Sequence, residues 1–115
     1  MSLEQLHTDV RAFCEKRDWE QYHTPKELAI GIATESGELL ENFRFKDRTE
    51  QSELLTDDAN REEIEDEVAD VLFFLLRFAD LYDIDLEEAT TRKISTNETR
   101  YPANEYKGSN KKYDE

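Results

Sequence analysis

Leu3, Leu6, Val10 and Phe13 recur at steps of three and four, which places them on one face of a helix. The pattern predicts a first helix from about Leu3 to Lys16, followed by a polar and aromatic stretch from Arg17 to His23. Thr24-Pro25-Lys26-Glu27 is a start signal, with a capping Thr, Pro at the first helical position and Glu three residues after the cap. The helix it opens carries Leu28, Ile32, Leu39, Leu40 and Phe43 and is expected to reach about Phe45. Lys46 to Asp58 is polar and charged and reads as a loop. Asn60 to Tyr82 is the most hydrophobic element, with Ile64, Val68, Val71, Leu72, Leu75, Leu76 and Ala79 spreading around the circumference as in a central helix. Asp85-Leu86-Glu87-Glu88 reads as a second capping box, opening a last helix to about Tyr101, and Pro102 ends it. No segment alternates like a strand. The expectation is an all-α, four-helix bundle over residues 1–103, followed by a flexible or substrate-closing tail at 104–115.

Composition narrows the partners. Of 115 residues, 15 are Lys or Arg and 29 are Asp or Glu, a formal net charge of −14. Phosphate backbones and anionic membranes both select basic surfaces, so neither a nucleic-acid polymer nor a membrane is the expected partner. The longest apolar run, Val71 to Leu76, is far short of the roughly 20 residues a membrane span needs. The single Cys14 cannot form an internal disulfide, which points to the cytoplasm. Only 37% of the residues are apolar, so part of the core is expected to be completed by another copy of the chain.

Two acidic pairs stand where helix design alone would not put them. Glu35 and Glu38 share a face of the second helix, and Glu67 and Asp70 share a face of the third. Both pairs are mid-helix, away from the N-terminal dipole, and both are flanked by apolar residues. Ionised carboxylates that approach an interior need a positive partner, and a hard divalent cation such as Mg²⁺ suits oxygen donors with open positions. Solvated surface acids are the competing reading for either pair alone. On the last helix Lys93, Asn97 and Arg100 or Tyr101 follow at helical spacing, types that recognise phosphate and sugar, or that form ordinary surface ion pairs with Glu87 and Glu88. Trp19, Tyr22 and Phe45 flank the second helix and could stack a base or staple the helix ends; His23 beside Trp19 could read a base edge. Glu4-x-x-His7 and Glu20-x-x-His23 match a di-iron half-motif in form only, since neither His accompanies the mid-helix acids.

Glu35-x-x-Glu38 followed by Glu67-x-x-Asp70 resembles the signature of the all-α MazG-type nucleotide pyrophosphohydrolases. The chain is most similar to their short dCTP pyrophosphatase branch, through Arg17 to Pro25, Gly37 to Lys46, Lys93-x-x-x-Asn97-x-x-Arg100-Tyr101-Pro102, Gly108-Ser109 and Lys112-Tyr113. The resemblance implies Mg²⁺-dependent hydrolysis of (d)NTPs, dCTP or related pyrimidine nucleotides first, to monophosphate and pyrophosphate in nucleotide-pool control, with Mn²⁺ as a substitute ion. It implies metal ligation by Glu35, Glu38, Glu67 and Asp70; for such a reaction Glu38 is expected to take the proton of the attacking water, and Lys93 with Arg100 to stabilise the leaving pyrophosphate. Trp19, His23, Phe45, Lys93, Asn97, Arg100 and Tyr101 fall on substrate-binding positions. The branch also implies a homo-oligomer, a dimer or a tetramer of paired dimers. Three positions depart from it: Phe45 stands where those members carry Trp, Phe74 where they carry Tyr, and Val10 where they carry a pocket His. Stacking survives the first change, and a polar contact is lost at each of the others. The rival from another class is an acidic helical adaptor or inhibitor without catalysis, which would show no nucleotide affinity.

Overall fold

The computed structural model describes residues 1–115, and the chain is helical with no strand. The helices are α1 (Leu3–Lys16), α2 (Pro25–Glu41), α3 (Arg48–Thr56), α4 (Asp58–Leu81), α5 (Leu86–Arg100) and α6 (Ala103–Tyr106), with a 3₁₀ turn at Glu20–Tyr22. They form two compact units, Met1–Asp83 and Ile84–Glu115. No helix is long and apolar enough to cross a membrane.

The four expected helices are present, and two short ones join them. The first addition corrects the reading of Lys46 to Asp58 as a loop. Asp47 accepts from the Glu50 backbone N–H at 2.9 Å while the Glu50 side chain accepts from Asp47 N–H at 3.1 Å, a complete capping box that starts α3. The second is α6, one turn beyond Pro102. The helix α2 also stops earlier than its apolar residues suggest, because the chain turns through Asn42 to Phe45 and Phe45 adopts a left-handed φ of 63°.

Local signals set the other boundaries. Ser2 Oγ accepts from Gln5 N–H at 3.1 Å and starts α1. That helix ends where Arg17 and Trp19 N–H groups both return to the Cys14 carbonyl, with Asp18 at φ 52° making the turn. Thr24 Oγ1 accepts from Glu27 N–H at 3.2 Å with Pro25 in the first turn. Asp85 accepts from Glu88 N–H at 3.0 Å and opens α5.

In the first unit α4 packs against α1, α2 and α3. Its core is small: Cys14 from α1, Leu28 from α2, and Ile64, Leu76 and Ala79 from α4 are the buried apolar residues. Gly31 lets α2 approach α4, since a Cβ there would meet ring carbons of Phe74 at 2.7 Å. Apolar side chains remain outside, among them Val68, Leu72 and Leu75 on one stripe of α4, 51%, 37% and 40% exposed. In the second unit Tyr101 packs edge-on against Tyr106 and Tyr113, with ring centroids 5.0 and 5.8 Å away.

Candidate metal centre and nucleotide-contacting residues

The antiparallel reach of α2 along α4 brings the two acidic pairs together. Glu35, Glu38 and Glu67 each offer a carboxylate oxygen, and these oxygens all lie within 4.8 Å of one another. Their spacing explains why. One helical turn separates Glu35 from Glu38, and Glu67 faces both from α4. Asp70, one turn further along α4, is exposed and stands outside this triplet, but its charge is felt by both Glu35 and Glu67.

The electrostatics of the triplet are unfavourable to the bare carboxylates. One oxygen of Glu35 and one of Glu67 are buried and have no hydrogen-bond partner. Burial, then the hydrogen bond and charge of Glu38, then the charges of Asp70 and Glu67 push the Glu35 carboxyl above the ordinary carboxylate range. Glu67 is raised in the same way, by burial first and then by Glu38, Asp70 and Glu63. No Lys, Arg or His forms an ion pair with either. A donor set of three or four carboxylates with orphaned buried oxygens fits a hard divalent cation, which would supply the missing partner.

The remaining residues singled out from sequence fall into three places. Trp19 and His23 lie on the link between α1 and α2, their rings 6.3 Å apart and tilted by 70°, with Phe13 edge-on to Trp19 at 5.5 Å. Trp19 keeps 37% of its surface exposed. His23 is held on both sides: its carbonyl accepts from the Tyr82 hydroxyl at 2.7 Å, and its Nδ1 accepts from Arg77 Nε at 3.0 Å. Phe45 is 89% exposed after α2, with the Arg44 guanidinium stacked over its ring at 4.7 Å.

Lys93, Asn97, Arg100 and Tyr101 belong to the second unit. Lys93 and Asn97 are exposed on α5, while Arg100 stacks over the Tyr113 ring at 4.7 Å and Tyr101 forms the helix C-cap. Sequence reasoning missed Arg77. It reads as the polar end of an apolar run, yet it is 1% exposed and ties His23 to α4.

Over 111 residues the chain is 36% identical to dCTP pyrophosphatase 1 of Mus musculus, covering 96% of this chain and 64% of that protein. Over 113 residues it is 34% identical to dCTP pyrophosphatase 1 of Homo sapiens, covering 98% of this chain and 65% of that protein. The chain thus spans just under two thirds of the length of these relatives. A crystal structure of a pyrophosphatase from Archaeoglobus fulgidus DSM 4304 superposes with a TM-score of 0.80 at 42% identity, covering 86% of this chain and 91% of that one. The MazG-like family model matches residues 30–115, a span that begins inside α2 and takes in all four acids, Glu35, Glu38, Glu67 and Asp70. By that match, and by the likeness in sequence and fold that accompanies it, the chain belongs to the MazG-like family.

Proposed function

We propose that the chain is a Mg²⁺-dependent nucleoside triphosphate pyrophosphohydrolase that cleaves the α–β phosphoanhydride of a (d)NTP, releasing the monophosphate and pyrophosphate. The observation that carries this reading is the triplet of Glu35, Glu38 and Glu67, with its two buried oxygens left without a partner. Relatives named as dCTP pyrophosphatases support dCTP or a related pyrimidine nucleotide as the substrate.

Glu35, Glu38, Glu67 and Asp70 would hold the ion. When bound, Mg²⁺ supplies positive charge for the phosphate oxygens and makes a water more acidic. Mn²⁺, another hard cation of similar chemistry, would substitute. Glu38 is the exposed member of the triplet, and its carboxylate is assigned to take the proton of the attacking water. Lys93 is assigned to the charge that builds on the leaving pyrophosphate, and Arg100 to phosphate oxygens through its planar guanidinium. Asn97 and Tyr101 are assigned to phosphate and sugar. Trp19 offers a part-exposed aromatic ring for the base, His23 its edge, and Phe45 a second stacking surface.

Copies of the chain are proposed to associate as a dimer or a tetramer. The exposed stripe of Val68, Leu72 and Leu75 supports this, because burying it would complete a core that has few fully buried apolar residues. The free, buried Cys14 suits a reducing cytoplasm. The testing experiment is pyrophosphate release from the four normal dNTPs and four NTPs, with Mg²⁺ and with chelator. Mg²⁺-dependent release greatest for dCTP is the expected result. Release from another set would retain the chemistry and replace the base assignment. No release together with no nucleotide affinity would return the chain to the class of acidic adaptors.

A further inference from the structure

Arg77 is a buried cation that the proposed hydrolysis does not use. Its side chain is 2% exposed, and its Nη1 lies 3.7 Å from Asp80. That carboxylate is already engaged by Arg11, whose Nε donates to its two oxygens at 3.1 and 3.0 Å. Arg77 Nη2 is buried without a partner. Its remaining donor, Nε, points at His23 Nδ1 from 3.0 Å.

A guanidinium has donors and no acceptor, so the nitrogen it faces must present a lone pair. The proton of the neutral imidazole is then left on Nε2. Burial and then the Arg77 charge also hold His23 below its ordinary range, which keeps the second proton off the ring. The Tyr82 hydroxyl fixes the backbone of His23, Trp19 lies beside its ring, and no hydrogen bond from the protein engages Nε2.

We propose that Arg77 is a positioning residue that locks His23 in the Nε2–H tautomer, so that beside Trp19 the chain presents a donor, and only a donor, to an acceptor atom of a nucleobase. This rests on the reading of Trp19 and His23 as base contacts and sharpens it. The atom recognised is a ring carbonyl oxygen or an unprotonated ring nitrogen, never an exocyclic amino group. The same lock removes His23 from proton transfer, because the ring has no lone pair to offer on its free side.

The test is a two-bond ¹H–¹⁵N spectrum of the imidazoles in the full chain at pH 7, with His7→Gln used to assign the two histidines. The expected result is a hydrogen-free Nδ1 and a protonated Nε2 at His23. In Arg77→Met the two tautomers mix, and Arg77→Lys, which keeps a donor, restores the single form. For dCTP the KM of Arg77→Met is expected to rise roughly tenfold, the loss of one well-placed hydrogen bond, and to rise more than kcat falls. A proton on Nδ1 in the wild type overturns the proposal. So does an unmoved KM in a folded Arg77→Met whose tautomer has changed. If Arg77→Met does not fold, or if the wild type hydrolyses no nucleotide, dCMP titrated into the labelled wild type decides. Movement of the His23 Nε2–H resonance supports the proposal, and a resonance that stands still while dCMP binds overturns it. The hydrolysis panel tests the catalytic reading separately, since the tautomer is read with no substrate present.

Discussion

The helix α4 carries two charged clusters about 20 Å apart along its axis, and they are built on opposite principles. Toward its C-terminal end Asp80 is shared by Arg11 and Arg77, and hydrogen bonding from Arg11 is the main cause that holds its carboxyl below the usual carboxylate range. Toward its middle Glu67 meets Glu35 and Glu38 with no ion pair to any of the three, and its carboxyl is pushed up instead. Both clusters are partly withdrawn from water. The first is neutralised by the chain's own side chains and so belongs to the fold. The second is left in need of positive charge, the deficit that the proposed metal ion would fill.

The comparison breaks most visibly in activity. Glu67→Gln is expected to lower Mg²⁺-dependent pyrophosphate release by more than about a hundredfold, since losing a ligand costs more than losing its supporting contacts. The same variant should melt no lower than wild type in chelator, because it removes crowding of like charge. A melting point that falls with activity would place Glu67 in the structural class. At the other cluster the signs reverse. Asp80→Ala leaves the buried Arg77 without its carboxylate and is expected to cost about 3 kcal/mol in a denaturant melt, with or without Mg²⁺.

Two glycines of α2 sharpen the contrast between packing and site. Gly31→Ala drives a Cβ into the Phe74 ring and is expected to cost about 1–3 kcal/mol. Gly37, between Glu35 and Glu38, has nothing within 4 Å of a Cβ, so Gly37→Ala should gain up to about 1 kcal/mol of helix stability in the isolated chain. Equal effects at the two positions would show that the close approach of α2 and α4 is not what holds Gly31.

The smallest effect is the pH dependence without metal. Glu35 and Glu67 bind their protons more tightly folded than unfolded, so they favour the folded state at low pH. That contribution is lost as pH rises from the ordinary carboxylate value through the raised one. Asp80 acts oppositely, its contribution being present above pH 3.8 and lost below it. Mg²⁺ should flatten the first trend and leave the second untouched, which melts from about pH 2 to pH 7 with and without the ion would read.

Much of this is legible in the sequence alone. Capping residues at Thr24 and Asp85 and the apolar spacing of α1 and α4 fix four helices to within a few residues, because both signals are local. The facing acids were legible as pairs, since helical spacing says which residues share a face. That Glu67 joins Glu35 and Glu38 more closely than Asp70 does depends on how two helices cross, which no local pattern encodes. The helix α3 was missed because its segment holds few apolar residues, although Asp47-x-x-Glu50 was a capping signal in plain view. Arg77 was illegible for a different reason. An arginine at the end of an apolar run reads as surface, and only tertiary packing shows that it is enclosed and aimed at His23.

Trp19 is the chain's one tryptophan, and it sits between Phe13 and His23 with its indole partly exposed. The protein therefore carries a built-in optical probe at the position where a base is proposed to stack. A ligand that covers the indole will change its emission, so occupancy can be titrated without a label and without turnover. Nucleotides that bind but are not cleaved become as measurable as those that are.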